Sequence, residues 1–549
     1  MSPTPVNVLL VLVVLTLCAG AFGIPMPEAF SDCNVKTAFG AKGDGVTDDT
    51  EALRRALANM RSSTALDYYY PRPTGIYLPA GTYLISDTLA WIGCCMTIQG
   101  QGPGVTIIRL KNSSARFANA STPRPVISTI DGNHSFRQNI HDLTIATGTG
   151  NPGAIGLSWI ASNNGTVSNV EIVSGDGNGI AGLDMTRYAP GPCLVKNVKI
   201  SGFNYGVKID NREYGITFKN LTLQGQKTVG VLNGGNMVYL HNLTSTNTVP
   251  AIMSENEWGT KWAMTLVIDA QLNGGSSSAS AIVNNDYLYA RNVRTQGYRS
   301  AIANGTTVVQ GTEVTEYVSE GRSLFSGTPQ SSLNLPIKTP PSYWDSTMSH
   351  WGKMPYSLYS AYYIDGGRLD SLLKSGVGTI YTRMSGATLI DQEFSVPVTV
   401  KHITGFNCVV NSDNGTGLTF VVDKPSTTPL IIERFGYGVT VKHRANRPVV
   451  IRHGNYNYVA SAGAGEVFLE DITSGQLTFQ PGQKIWAYQL NNEVDAPIKI
   501  INNLRLTLYL QTNLGRCLIH KINGLIRQKS VSNVTMRQFN CRNQGIIAD

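Results

Sequence analysis

Seven short β-like runs each pair a polar residue with a following aliphatic one: Asp142-Leu143, Asn169-Val170, Asn197-Val198, Asn220-Leu221, Asn242-Leu243, Asp269-Ala270 and Asn292-Val293. The polar members succeed one another at 27, 28, 23, 22, 27 and 23 residues. An alternating strand follows, as in NVEIVSG, NVKISGF and NLTLQGQ. Self-similarity at about 20 to 50 residues marks a solenoid or a propeller. Units this short, rich in Gly and Asn turns, suit one coil of a parallel β-helix, whose equivalent residues stack about 4.8 Å apart. An Asn at one turn of every coil then hydrogen-bonds its neighbours above and below, while the aliphatic column forms a dry interior. An Asn-rich β-sandwich with accidental periodicity is the competing reading.

Composition agrees with a turn-rich β protein. Only 15% of the 549 residues are charged, 42% are hydrophobic and 56 are glycine. Coiled coils and helical bundles need more charge than this, and disordered chains need less aliphatic content. The length exceeds one ordinary core and predicts two or three domains. The formal net charge is +8, but residues Arg505 to Asp549 alone hold seven Lys/Arg and one acid. The body is therefore nearly neutral, and no nucleic-acid partner is expected.

Residues Val6 to Leu17 form an apolar run followed by Ala19, Gly20, Ala21 and Gly23. This reads as a signal peptide over 1–23, giving a secreted, extracellular chain with no membrane association after its removal. The run is shorter than the roughly 20 residues of a bilayer span. It lacks a preceding Lys or Arg, which leaves an anchor as the alternative. The mature cysteines Cys33, Cys94, Cys95, Cys193, Cys408, Cys517 and Cys541 are too few for a disulfide framework. No CxxC or His-rich spacing occurs, so no metal site is expected. Glycosylation sequons stand at Asn112, Asn119, Asn133, Asn164, Asn220, Asn242, Asn304, Asn414 and Asn533.

The opening segment FGAKGDGVTDDTEALRRAL, Phe39 to Leu57, turns at Gly40, Gly43 and Gly45. Asp48 is placed to N-cap a helix over Glu51 to Met60, with Glu51 completing a capping box. Leu53, Leu57 and Met60 would point inward, Arg54 and Arg55 outward. GIYLPAGTYLIS (Gly75 to Ser86) and TIQGQGPGVTIIRL (Thr97 to Leu110) follow as strands and tight turns. FGAKGDGVTDDT, YLPAGTYLI and IQGQGPGVTII together resemble the start of the pectate-lyase-like superfamily of right-handed β-helices. That group includes rhamnogalacturonase- and epimerase-like lyase domains, viral tailspikes and double-β-helix exo-β-1,3-glucanases. The resemblance covers residues 33 to about 503. It implies an all-β fold in which the opening helix caps the solenoid, making Asp44, Asp48 and Asp49 turn and cap residues rather than catalysts. The acidic triplet lacks the spacing and distal Glu of a calcium loop.

The strand rhythm stops after Phe325, and Pro329, Pro336, Pro340, Pro341, Trp344 and Trp351 mark an aromatic connection. Shorter strands return beyond Tyr359. The expected organisation is a β-helix over 24–326, a linker over 327–360, a second, smaller β-helix over 361–503 and an atypical basic tail over 504–549. The two-barrel members of the superfamily suggest solenoids side by side. The tail admits three readings: a divergent cap, a basic arm for acidic glycans, or an altered reading frame.

The resemblance implies action on an extracellular polysaccharide. The Asn-Thr-Asp, Asp-Asp and Gly-His-Gly signatures of polygalacturonase-like members are missing, which disfavours that subclass. Hydrolysis of a glucan requires two carboxyls, about 5–5.5 Å apart for retention or 6.5–9.5 Å for inversion. Outward acids one or two coils apart meet such distances. The candidates are Glu255 and Glu257, Glu313, Glu316 and Glu320, and Glu470/Asp471 with Glu493/Asp495, the last set about one coil apart. Trp258, Tyr317 and Trp344 are the leading aromatics for stacking on sugar rings, among others of the same kind. A glucanase needs no cofactor; calcium enters only if the chain is a lyase. Two classes stay open: a hydrolase or lyase, and a non-catalytic matrix, coat or glycan-binding β-helix.

Overall fold

The computed structural model describes residues 33–60, 75–319, 366–508 and 534–536, apart from short internal segments (94–95, 130–131, 133–134, 163–164, 212–214, 256–262, 382–391, 410–416, 438, 474–475, 481–482, 492–497 and 501–505). Strands Asn139–Ala146, Thr166–Val173, Cys193–Ser201, Ile216–Gln224, Met237–Asn247, Met264–Gly274 and Tyr287–Thr295 pair in order and in parallel. Between them the chain visits a second parallel sheet: Ala154–Ser158, Ala181–Met185, Tyr205–Ile209, Val229–Asn233, Ile252–Ser254, Ser280–Asn284 and Ser300–Asn304. One visit to each sheet per coil makes a parallel β-helix, here called the first stack. Its interior is dry, filled by columns such as Val195, Phe218, Leu240 and Val267.

The repeated polar residue is the corner of each coil. Asp142, Asn169, Asn197, Asn220, Asn242, Asp269 and Asn292 all adopt φ between 50° and 60°. Sequence spacing places them at a turn between strands, whereas the structure places them inside each long strand, where one left-handed residue bends it. Asn and Asp tolerate that conformation better than other side-chain-bearing residues, which explains their recurrence. The bend lets residues on both sides of the corner, Val195 and Val198 for instance, enter the core. Amide hydrogen bonds join the column: Asn169 Nδ2 donates to Asp142 Oδ1 at 2.5 Å, Asn220 to Asn197 at 2.7 Å and Asn242 to Asn220 at 2.8 Å. Asn292 donates to Asp269 in the same way.

On the other sheet, Gly182, Gly206 and Gly230 occupy equivalent places. A Cβ on Gly206 would stand 2.6 Å from the carbonyl oxygen of Gly230, so the coils pass too closely there for a side chain.

Helix Thr50–Met60 closes the start of the stack with Leu53, Ala56 and Leu57 buried. Asp49, rather than Asp48, stands at its N-terminus: its carbonyl accepts from Leu53 N–H, and its carboxylate from the amides of Lys42 and Gly43. Asp48 binds Thr50, and Glu51 pairs with Arg54 at 2.9 Å, so no capping box forms. Arg54 and the turn amides offer closer partners than the helix end. At the opposite end two strands reverse direction, Thr307–Val309 against Ser300–Asn304 and Glu313–Val318 against Tyr287–Thr295.

From Thr379 to Ile500 a second set of parallel strands forms around its own core, including Ile403, Phe420, Ile432, Val441, Ile451, Tyr456 and Leu469. Strands His402–Val409, Leu430–Tyr437, Val449–Ala460, Val467–Thr473 and Ile485–Asn491 make one side. Gln392–Ser395, Leu418–Val422, Val439–His443 and the second half of Val449–Ala460 make the other. This second stack has corners of its own, at Arg434, His453 and Asp471, with φ of 62°, 54° and 49°. Residues 1–23 and the 327–360 connection lie outside the described residues. Of the tail, Leu506–Leu508 pairs in parallel with Val534–Met536, and the remainder from 509 on lies outside them.

Candidate functional site at the seam between the stacks

The stacks meet through matching faces. Tyr239, Leu266 and Ile268 of the first pack against Ile431, Val450 and Phe468 of the second. Overlapping this apolar strip at Ile268 runs a mostly polar column, built from the residue that precedes each corner and from Gln99 in register with them. In the first stack that column reads Gln99, His141, Ser168, Lys196, Lys219, His241, Ile268 and Arg291. In the second it reads Glu433, Arg452 and Glu470. Period-two alternation points these side chains out of their own coil. They are nonetheless at most 8% exposed, because the facing stack covers them.

Specific bonds cross the seam. Lys196 Nζ lies 3.0 Å from Glu470 Oε1. Arg434 Nη1 donates to Gln99 Oε1 at 3.4 Å, and Gln99 Nε2 to Asp142 Oδ2 at 2.8 Å. The Thr166 hydroxyl sits 2.8 Å from His453 Nδ1 and 2.6 Å from Asp471 Oδ2. His141 and His453 face each other with ring centroids 6.0 Å apart, and His141 Nδ1 meets Ser168 Oγ at 2.7 Å. Within the second stack, Glu433 holds Arg452 Nε at 2.5 Å and His402 Nε2 at 3.0 Å.

These surroundings push the carboxyls apart. Burial raises both acids, but for Glu433 the charges of Arg452 and Arg434, with the hydrogen bond from His402, outweigh it and hold the carboxyl well below its ordinary range. For Asp471 burial, with the Glu470 charge adding to it, outweighs the hydrogen bonds from Thr166 and the Gly165 amide and lifts the carboxyl well above. Burial and the neighbouring Arg434 or Arg452 keep His141 and His453 far below the usual imidazole value. Carboxyls of one buried seam whose surroundings push them in opposite directions are a mark of acid–base sites. Among the described residues no group of three or more His, Cys, Asp or Glu is arranged to hold a metal ion.

Of the residues singled out from sequence, Glu470 and its neighbour Asp471 lie in the seam. Glu255 is half-buried after strand Ile252–Ser254, and its amide bonds to Asn233 of the first stack. Glu313 is exposed 3.4 Å from Arg294, and Glu316 stands on the same reversed strand, in register with Arg291. Tyr317 is half-buried and its hydroxyl accepts from Asn304. Glu257, Trp258, Glu320, Trp344, Glu493 and Asp495 lie outside the described residues. Of the sequons, Asn112, Asn119 and Asn242 are exposed and Asn220 and Asn304 half-buried, while Asn133, Asn164, Asn414 and Asn533 lie outside. Sequence reasoning missed Glu433, Arg434, Arg452, His453, Lys196, His141 and Thr166.

Residues 33–275 match the family described as rhamnogalacturonase A/epimerase, pectate lyase-like. This part of the chain belongs to the pectate-lyase-like superfamily. Beyond the pectate-lyase-like segment, similarity continues at low identity. A glucan 1,3-beta-glucosidase of Cochliobolus carbonum is 23% identical over 490 residues, spanning 83% of this chain and 59% of the relative. A probable glucan endo-1,3-beta-glucosidase of Arthroderma benhamiae is 24% identical over 323 residues, 55% of this chain and 36% of the relative. The chain thus spans less than two thirds of either relative's length. The solved A-module of a mannuronan C-5 epimerase from Azotobacter vinelandii is similar over 87% of this chain and 100% of its own, at 12% identity and a TM-score of 0.35.

Proposed function

We propose that the chain is a secreted carbohydrate-active enzyme that hydrolyses a β-1,3-glucan, with the seam supplying its acid–base groups. The carrying observation is the similarity to the Cochliobolus carbonum glucosidase, which spans 83% of the chain and is therefore longer than either stack. The site chemistry supports it. Glycoside hydrolysis needs one carboxyl that keeps its proton and one that does not. Asp471, held protonated by burial, suits the first role, and Glu470, ion-paired with Lys196, suits the second. Both groups are fully buried, so this reading requires the seam to open for a sugar to reach them.

The test is reducing-sugar release from a panel of β-glucans and pectins, alongside the ultraviolet absorbance of unsaturated products. Release from β-1,3-glucan that falls at least a hundredfold in Asp471→Asn and persists in Glu313→Gln supports the reading. Unsaturated products instead would identify elimination. A second reading rests on the burial of the whole seam: its charges serve only to join the stacks, and the protein is a non-catalytic matrix, coat or glycan-binding β-helix. Glucan binding without sugar release would favour it.

A further inference from the structure

We infer that His453 and Asp471 of the second stack, bridged by Thr166 of the first, hold one proton between them while the seam is closed, and that this proton makes closure of the two stacks a pH-dependent latch. The geometry comes first. One threonine hydroxyl lies within hydrogen-bond distance of His453 Nδ1 and of Asp471 Oδ2, which are 3.5 Å from each other. A hydroxyl so placed relays: Asp471 donates to Thr166 and Thr166 donates to His453, or His453 donates to Thr166 and Thr166 to Asp471. Both residues occupy left-handed corners, with φ of 54° and 49°, a conformation that Asp and His accept more readily than most side-chain-bearing residues.

The surroundings select the proton count. Facing the pair are Thr166, His141, Lys196 and Cys193 from the first stack, and Glu433, Arg434, Arg452 and Glu470 from the second. With no proton, a second carboxylate would be buried beside Glu470. With two, an imidazolium would be buried among Arg434, Arg452 and Lys196. One proton leaves the pair without net charge, wherever along the relay it resides, and burial of net charge is what a dry interface resists. The depressed basicity of His453 and the raised affinity of Asp471 for its proton agree with that state.

The hydrated pair behaves differently. In the opened or unfolded chain, His453 titrates near 6.5 and Asp471 near 3.9, so the pair carries one proton only between about pH 4 and 6.5. In that window closure neither takes up nor releases a proton here. Above pH 6.5 the open pair is empty and closure must capture a proton, so the pair's contribution weakens by up to about tenfold per pH unit. Below pH 4 the open pair holds two, and closure weakens again. The latch is firmest in mild acid.

Urea unfolding of the full chain from pH 4.5 to 8.5, compared between the wild type and two variants, tests this. His453→Gln leaves an acid that is neutral when closed and ionised when open, so its loss of stability begins near pH 4 instead of 6.5. Asp471→Asn leaves an imidazole that is neutral when closed, so the sign reverses: relative to wild type, stability falls by up to about tenfold per pH unit on going below 6.5. Differences between proteins cancel the other titrating groups. Profiles that run parallel to wild type across the range would overturn the proposal. If a variant does not fold, the side-chain nitrogen resonances of His453 in the wild type decide. No titration step between pH 5.5 and 7.5 supports the shared proton, and an ordinary step near 6.5 refutes it.

Discussion

Lys196 of the first stack and Glu470 of the second form an ion pair at 3.0 Å with side chains 1% and 0% exposed. A pair so dry is held by mutual dependence, since removal of either partner leaves the other charge buried. Lys196→Met is expected to destabilise by about 3–5 kcal/mol, while Lys196→Met combined with Glu470→Leu recovers most of the loss. A double-mutant cycle in urea checks this. A double-variant cost equal to the sum of the two single costs would show that the two groups act independently.

The corner column makes a second, graded expectation. Asn220 donates to Asn197 and accepts from Asn242 while holding φ 54°. Asn220→Ala loses both bonds, for about 1–3 kcal/mol, and adds about 1 kcal/mol of left-handed strain. Asn220→Gly loses the bonds but accepts the backbone, so its thermal midpoint should fall between wild type and Ala. A glycine variant as unstable as alanine would mean that conformation contributes nothing.

Gly206 tests the closeness of the coils on the other sheet. A methyl group there would meet the Gly230 carbonyl at 2.6 Å, and backbone cannot swing aside as a side chain can. Gly206→Ala should cost about 1–3 kcal/mol by overpacking, despite the usual preference of strands for alanine over glycine. Gly104, with open space where its Cβ would lie, is the companion site for judging crowding, although its φ of 76° adds a strain of its own. Melting of both variants compares the two effects.

His443 gives a pH dependence of opposite sense to the shared proton at the seam. It is buried in the second stack, with Nδ1 2.8 Å from the Tyr458 hydroxyl, and burial lowers its pKa to about 4. A folded value below the unfolded 6.5 means stability fully present above pH 6.5 and lost as pH falls toward 4. The full loss is about 3 kcal/mol. In His443→Gln that acid-side slope should vanish, which urea midpoints between pH 4 and 7.5 would reveal.

The first stack was legible because asparagine is a low-strain way to turn a corner, so each corner left the same residue type behind. The second stack turns the same corner with Arg434, His453 and Asp471, and the regular signal disappears. What remains are charged doublets inside apolar strands, IIERF, VIRHG and FLEDI, with corners 18 to 19 residues apart. Read singly, each looks like a solvated strand face. Their burial depends on the partner face some 280 residues earlier in the chain, and no local pattern records that. Glu470 was reachable through its spacing from other acids. Lys196 and His141 were not, because the column before each corner shares an outward direction but no residue type.

The two strands that run backwards at the far end of the first stack have a consequence for association. A parallel ladder that simply stopped would present an open row of amides and carbonyls in the register of its own coils, a template on which another copy's first coil could continue. Thr307–Val309 and Glu313–Val318 occupy that row with chain of the opposite polarity, and Glu313 and Arg294 put charge along it. A growing fibre would have to pair with the wrong direction and cover charge to extend. Among the described residues, this end of the first stack therefore offers a second copy an antiparallel, charged border in place of a continuing parallel one.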